Sequence, residues 1–224
     1  MDALTHLLVG AAAQPLDPTR RAGAGALLAR IGERHPQWWH GRFRMVAEHD
    51  LFVGWMTAPE RAFDIVAALH LVCWPAAFHF RLHGAVDLPS SQRARAEMET
   101  LPVDALRDAT ADAVEEGLPL QLSLVARHLE PYQRVAERLA RAHVRVTRSW
   151  TPRQHEIVLA RRRQHGRAGL HHVLGCSRQV VHRALDRAQD DELRAIENAL
   201  RDWITLAVHD QGLRRHRRRA VRLV

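Results

Sequence analysis

The chain has 224 residues, a formal net charge of +8 and 46% hydrophobic residues, a composition typical of a globular protein with one or two domains. No stretch reaches the roughly 18 uninterrupted apolar residues of a membrane span. Asp2 lies where a signal peptide carries positive charge, so we expect a cytoplasmic protein that has no membrane partner.

The two cysteines, Cys73 and Cys176, are far apart in the sequence and lack the spacing of a zinc finger. For the same reasons, a disulfide framework is not predicted either. We expect both residues to be small buried hydrophobes in a reducing compartment.

The positive charge is confined to the last third of the chain. Residues 1–149 hold as many acidic residues as arginines, whereas residues 150–224 hold twice as many arginines as acidic residues. A cationic field in one segment indicates a polyanionic partner, since binding phosphates releases counterions. The alternative is a solvated arginine-rich surface encoded by a GC-rich genome, which the absence of lysine favours. Charge alone leaves both open.

The chain begins with a predicted strand and helix. Leu4–Val9 reads as a buried strand, and Pro15, Asp17 and Pro18 are turn and helix-start signals. The helix that they open is expected to continue to about Glu33.

A hairpin and a second helix follow. Arg42–Ala47 alternates, with Phe43, Met45 and Ala47 on one face, and Leu51–Met56 returns as the second strand after a three-residue turn. Thr57, with Glu60 three residues later, predicts a capping box at the start of a helix. Ala77–Val86 is the next predicted strand.

This order of elements is the split βαβ, or ferredoxin-like (βαββαβ), arrangement, in which helices cover one side of an antiparallel sheet. Beyond it we expect a helix over Val103–Glu116, a strand over Leu118–Val125 and a helix over Pro131–Ala142. The predicted fold class is α+β. A degenerate ferredoxin-like domain is expected over residues 1–147, and an all-α helix-turn-helix domain over residues 148–224.

The segment Thr151-Pro152-Arg153-Gln154 predicts a helix start. Threonine is a good N-cap, proline suits the first turn, and glutamine completes a capping box. The helix is expected to end near Gln164 and Gly166. A short second helix should then direct three apolar side chains inward: Leu170, Val173 and Leu174.

A tight turn and a third helix complete the motif. Gly175 supplies the left-handed conformation of the turn, Cys176 fills the corner, and Ser177 caps the helix. Val181 and Leu185 lie on its buried face. The outward residues, which a recognition helix would present to the major groove, are Arg178, Gln179, His182 and Arg183.

These residue types suit DNA recognition. Arginine can pair with guanine, glutamine can pair with adenine, and Ser177 at a helix N-terminus can hold a phosphate. The alternative is a structural helical hairpin with a basic face, but the motif's spacing and its place in the positive segment favour DNA. The predicted DNA-binding residues are Arg153, Arg167, Ser177, Arg178, Gln179, His182, Arg183, Arg187, Arg214, Arg215, Arg217 and Arg218.

Residues 190–209 carry an apolar stripe at helical spacing, formed by Leu193, Ile196, Leu200, Trp203, Ile204, Ala207 and Val208. The stripe is either a dimer seam or a surface that packs against the protein's own domains. Because two half-sites need two recognition helices, we expect a homodimer. The basic run after Leu213 is expected to be a mobile tail that grips DNA phosphates.

Four segments are distinctive: the hairpin Phe43–Gly54, Val103-Asp-Ala-Leu-Arg-Asp-Ala, Trp150-Thr-Pro-Arg-Gln and Leu174-Gly-Cys-Ser. Together they resemble the SatD family over nearly the whole chain. The hairpin stands where the family has a GDEF-like turn, and the second segment resembles its Asp-Gly-x-x-x-x-Ala helix start. The last two segments also resemble the DNA-binding ends of LuxR-type and sigma-factor-type modules. The resemblance implies a palm domain related to nucleotide cyclases, joined to a helix-turn-helix. His171 departs from the motif, where a small residue is usual.

The palm departs from a catalytic pattern. A cyclase-type palm binds Mg²⁺ with two carboxylates, but Val9–Ala13 contains none and Asp50 has only Glu48 nearby. No glycine-rich phosphate loop or Gly-x-Ser-x-Gly elbow occurs in the sequence. We expect no enzymatic activity and no cofactor.

The histidines do not predict a metal site. His79 and His83 should lie about 13 Å apart on one strand, too far to share an ion. His171 and His172 are adjacent on a helix and should point apart. Each is expected to be packed or solvated.

The sequence therefore predicts a transcriptional regulator that binds double-stranded DNA. Two alternatives stay open. One is a nucleotide sensor, or a residual nucleotide-processing protein, whose palm binds a small nucleotide without two metals and is stabilised by it. The other is an interaction module of a larger transcription complex, which would not bind DNA alone.

Overall fold

A mixed sheet forms the centre of the N-terminal part of the chain. The computed structural model describes residues 5–41, 43–46, 48–86, 102–123, 129–163 and 169–222, with the backbone alone for 5, 85, 86 and 211–222. Within these ranges the strands are β1 (Thr5–Ala12), β2 (Arg44–Val46), β3 (Leu51–Met56), β4 (Phe78–Val86) and β5 (Leu120–Ser123). Their order across the sheet is β2-β3-β1-β4-β5.

The helices of the described residues are α1 (Pro18–Arg34), α2 (Ala62–Val72), α3 (Val103–Glu115), α4 (Glu130–Arg148), α5 (Pro152–Arg163), α6 (Leu170–Val173), α7 (Arg178–Arg187) and α8 (Asp190–Arg222). Asp17 caps α1, because its carboxylate accepts a hydrogen bond from the Arg20 backbone N–H. The α+β class is confirmed.

The sheet is antiparallel only in part. β1 runs antiparallel to β3 and to β4, and β2 runs antiparallel to β3. β5 instead pairs in parallel with β4, with Phe80 opposite Leu120. The expected antiparallel sheet therefore holds for β1 to β4, and β5 extends it as a parallel edge strand.

Helices cover both faces of this sheet. Successive β1 residues point to opposite faces, so Leu8 packs with α1, α2 and α4, whereas Val9 packs with α3. Leu106 is the buried α3 residue in this second core. Our expectation of helices on one side was wrong, because α3 buries its apolar side chains against the second face.

The helix after β3 begins later than predicted. The Thr57 hydroxyl donates a hydrogen bond to the Gln37 carbonyl oxygen and is not an N-cap. The chain then forms a 3₁₀ turn over Pro59–Arg61, and α2 starts at Ala62 without a side-chain cap. The capping box at Thr57 was a wrong prediction, because a contact distant in sequence engages the hydroxyl.

Gly10 allows the Phe80 ring to lie across β1. The two residues are direct partners in the β1–β4 ladder, and a Cβ on Gly10 would lie 2.1 Å from the ring. We expect Gly10→Ala to lower the free energy of unfolding by about 1–3 kcal/mol through overpacking, measured by urea denaturation.

Gly25 is the matched control for this change. It lies within α1, and a Cβ there would meet nothing within 4 Å. Gly25→Ala should raise the free energy of unfolding by about 0.5–1 kcal/mol, because alanine favours the helix. Two variants of equal stability would contradict the packing of Phe80 on Gly10.

The 33-residue helix α8 joins two hydrophobic cores. Leu200, Ile204 and Ala207 lie in the core beneath the sheet, whereas Leu193 lies in a second core formed by the C-terminal helices. The apolar stripe over residues 190–209 is therefore packed inside the chain. The basic run after Leu213 continues the α8 backbone to Arg222 and is not a separate tail.

Candidate nucleic-acid interface

Helices α5, α6 and α7 enclose the second core. Its fully or nearly buried members from these helices are Ile157, Val158, Leu170, Val181 and Leu185. Trp150 closes one end, where its indole N–H donates a hydrogen bond to the Ala188 carbonyl oxygen at 2.9 Å. Only one side of α7, that of Val181 and Leu185, packs into this core.

The start of α5 has the predicted capping box. The Thr151 hydroxyl accepts from the Gln154 backbone N–H at 3.2 Å, and the Gln154 side-chain oxygen accepts from the Thr151 N–H at 2.8 Å. The two residues thus satisfy each other's free donors. Sequence and structure agree on this helix start.

The turn between α6 and α7 also follows the prediction. Gly175 has a φ of 58°, in the left-handed region that glycine tolerates. The Ser177 hydroxyl accepts from the Val180 backbone N–H at 3.3 Å and so caps α7. Val173 was predicted to point inward but is 65% exposed, so this part of the prediction was wrong. A four-residue helix turns only one side to the core, and Leu170 occupies it.

The outward side of α7 is centred on Arg183. At about 100° per residue, Arg183 lies opposite the buried Val181 and Leu185, with Gln179 and Arg187 on either side of it. All three outward side chains are exposed. They form a polar and cationic ridge, which we call the α7 ridge.

Two exposed residues beside the ridge were missed by sequence reasoning. Val180 borders it and is 45% exposed. Asp186 pairs with the predicted site residue His182 at 2.7 Å, four positions along the helix. Helical spacing measured from Val181 and Leu185 would have placed both residues near the outward side.

Arg178 lies at the edge of α7 and contacts α6. Its Nε donates to the His171 Nε2 at 3.4 Å. Desolvation and the nearby His172 and Arg178 charges lower the pKa of His171, which favours the neutral imidazole that can accept this bond. The His171 and His172 rings are 3.9 Å apart, so our expectation that they point apart was wrong.

The other predicted site residues have varied positions. Arg153 pairs with Glu156 at 2.6 Å and also donates to the Leu174 carbonyl oxygen, so it links α5 to the turn. Arg167 lies outside the described residues. The predicted arginines at the end of the chain lie on the α8 backbone, but their side chains are not described: Arg214, Arg215, Arg217 and Arg218.

Several arginines of the positive segment are engaged inside the protein. Arg161 and Arg162 both pair with Asp190, which is 0% exposed. Arg201 forms a two-pronged ion pair with Asp64 of α2. Sequence counting missed these pairs, because the partners are far apart in the chain. These three arginines therefore serve the fold, although the net charge of the segment is unchanged by the Asp190 pairs, because Asp190 is already counted among its acidic residues.

Glu197 connects this network to α4. It accepts hydrogen bonds from His143 and from Arg162, each at 2.7 Å. Burial alone would raise the pKa of this carboxyl group, but the bond from His143 and the Arg162 charge lower it to about 2. The ionised carboxylate thus holds α4, α5 and α8 together.

Asp50, the carboxylate of the β2–β3 hairpin, has a structural role. It is 5% exposed and accepts from the Leu16 backbone N–H at 2.9 Å and from the Arg21 guanidinium at 2.8 and 3.0 Å. These bonds fasten the segment after β1 to the hairpin. Within the described part of the chain, no group of three or more His, Cys, Asp or Glu residues is placed to hold a metal ion.

Comparison of the chain with family models, curated proteins and solved structures gives no match. Among the described helices, none combines the length and the apolar character needed to cross a bilayer. The function is therefore inferred from the geometry of the chain itself.

Proposed function

We propose that the protein is a sequence-specific DNA-binding transcriptional regulator, with α6 and α7 as its helix-turn-helix and α7 as the recognition helix. The observation that carries this proposal is the α7 ridge. Val181 and Leu185 anchor the helix on one side, while Gln179, Arg183 and Arg187 project from the other. A helix held in this way can enter a major groove without disturbing its own core.

The ridge has the chemistry to distinguish base pairs. Arg183 can donate two hydrogen bonds to guanine O6 and N7, and Gln179 can pair with adenine N6 and N7. The exposed Val180 can contact a thymine methyl group. Arg178 at the edge of the helix can donate to a backbone phosphate, a contact that fixes register and carries no sequence information.

The sheet supports a scaffold role in this proposal. The order β2-β3-β1-β4 with antiparallel pairing supports a ferredoxin-like arrangement, to which β5 is an addition. Asp50 is engaged by Arg21 and Leu16, which supports a palm without metal-dependent catalysis. Membership of the SatD family stays a prediction.

A homodimer also stays a prediction, and only one of its two original reasons remains. The apolar stripe of α8 is packed within the chain and gives no support to a dimer seam. The remaining reason is that two half-sites require two recognition helices. Light scattering at concentrations where DNA is bound measures the mass directly.

Loss of a ridge side chain should relax sequence preference. After selection of a preferred site from random DNA, we expect Arg183→Ala or Gln179→Ala to weaken binding to that site by about 1–3 kcal/mol. Binding to random-sequence DNA should change little, because base contacts add nothing there. Titration of labelled duplexes at fixed salt measures both affinities.

Arg107→Ala is the matched control. Arg107 is an exposed arginine on α3. Helix α3 covers the face of the sheet opposite to the one against which α8 packs, so the substitution removes the same charge at a distance from the ridge. It should leave both affinities nearly unchanged. If Arg183→Ala weakens specific and random binding equally, α7 does not contact base edges and the proposal fails.

A further inference from the structure

A second cationic surface lies away from the α7 ridge, in a cleft of about 720 Å³. The cleft lies between α1 and α2 of the sheet part and α5 and α8 of the C-terminal part. Three of its apolar lining residues are only partly covered, Ile31, Ala68 and Leu159, and we call them the apolar floor. Six arginines also line the cleft, and we call them its walls: Arg30, Arg34, Arg162, Arg163, Arg194 and Arg201.

The two carboxylates of the cleft are already neutralised. Asp64 is paired with Arg201, and Glu197 is paired with Arg162. Among the described residues, no carboxylate pairs with Arg30, Arg34 or Arg163, and all three are exposed. The cleft thus presents a surplus of guanidinium groups around an apolar floor.

The apolar floor and the cationic walls favour chemically different parts of one ligand. Guanidinium groups bind phosphate oxygens with two parallel hydrogen bonds, so several arginines along one cleft favour an anion with several phosphates. An inorganic anion would leave the apolar floor in contact with water. The cleft volume falls within the range of about 300–1,000 Å³ of small-molecule sites.

We propose that this cleft binds an organic polyphosphate of nucleotide size, with its phosphates on Arg30, Arg34 and Arg163 and its ring on the apolar floor. Such a ligand would touch both the sheet part and the C-terminal helices. The proposal does not depend on DNA binding.

The probe is ATP, titrated calorimetrically into the full chain in the presence of EDTA. Inorganic triphosphate and adenosine are titrated in parallel. We expect ATP to bind more tightly than either, because only ATP uses both walls and floor, and we expect its affinity to fall with added salt. The double variant Arg30→Ala/Arg34→Ala should lose about tenfold or more in ATP affinity.

Arg141→Ala/Arg145→Ala is the matched control. These arginines are also four apart on one exposed helix side, and they line a separate groove of about 300 Å³. The control should bind ATP like the wild type, and both variants should melt cooperatively without ligand.

The proposal is overturned by any of four results. The first two concern the wild type: it does not bind ATP, or it binds ATP and triphosphate with equal affinity. The other two concern the variants: both double variants lose ATP affinity equally, or Arg30→Ala/Arg34→Ala keeps the ATP affinity of the wild type. A parallel titration with random-sequence DNA adds one further test. If the cleft variant loses as much affinity for DNA as for ATP, the cleft belongs to a nucleic-acid surface and the small-ligand proposal is wrong.

Discussion

Asp190→Asn is expected to lower the free energy of unfolding by about 3–5 kcal/mol. Asp190 is completely buried at the start of α8 and pairs with Arg161 at 2.7 Å and with Arg162 at 3.0 Å. Arg194 approaches the same carboxylate at 3.4 Å. Asparagine keeps the volume but removes the charge, so two largely buried guanidinium groups each lose one of their two carboxylate partners, and only Asp191 and Glu197 are left to them. Urea denaturation followed by tryptophan fluorescence measures the change.

Asp191→Asn is the control for this prediction. Asp191 is the next residue in the same first turn and also pairs with Arg161, but its side chain is 57% exposed. Both substitutions remove the same charge from the same end of the helix dipole. Asp191→Asn should therefore cost at most about 1 kcal/mol. Similar losses in the two variants would show that burial of the Asp190 carboxylate does not determine its contribution.

The second large effect is on acid stability, through Glu197. The pKa of its carboxyl group is about 2 in the folded protein, against an ordinary value of 4.5. A lowered pKa in the folded state gives stability that is present above the unfolded value and is lost as the pH falls. We expect Glu197 to contribute about 3 kcal/mol at neutral pH, and this contribution to disappear between about pH 4.5 and pH 2.

Glu197→Gln isolates that contribution from those of other carboxylates. The wild type should be more stable than the variant by about 3 kcal/mol at pH 6, and the difference should vanish near pH 2. Glu192→Gln, an exposed change on the same helix, should cost at most about 1 kcal/mol at pH 6. A Glu197→Gln difference that stayed constant from pH 6 to pH 2 would contradict the role of the ionised carboxylate.

Two capping-box patterns in the sequence illustrate what local sequence can determine. Thr151 with Gln154 and Thr57 with Glu60 have the same spacing, yet only Thr151 caps its helix. The Thr57 hydroxyl instead reaches the carbonyl oxygen of Gln37, a contact twenty residues distant. Local patterns predicted most helices and strands, including the turn at Gly175, and failed where a tertiary contact engaged the same atoms.

At the candidate site, charge counting and apolar periodicity also did not predict which tertiary contacts the residues make. Periodicity identified the buried residues Val181 and Leu185, and hence the outward side of α7. It did not reveal what the α8 stripe packs against, because a dimer partner and the protein's own core require the same spacing. Counting charges likewise did not show which arginines are paired: Asp190, close to thirty residues after Arg161 and Arg162, pairs with both.

Helix α8 also has a consequence for fragments of the chain. A fragment that begins after α4 would keep Leu193 in its core but would expose Leu200, Ile204 and Ala207, which pack beneath the sheet in the full chain. The C-terminal helices are thus thermodynamically coupled to the sheet, and melting of one part removes buried surface from the other. Proteolytic cleavage between the two parts should accordingly release fragments that unfold or self-associate, because neither fragment keeps the buried surface it needs to fold independently.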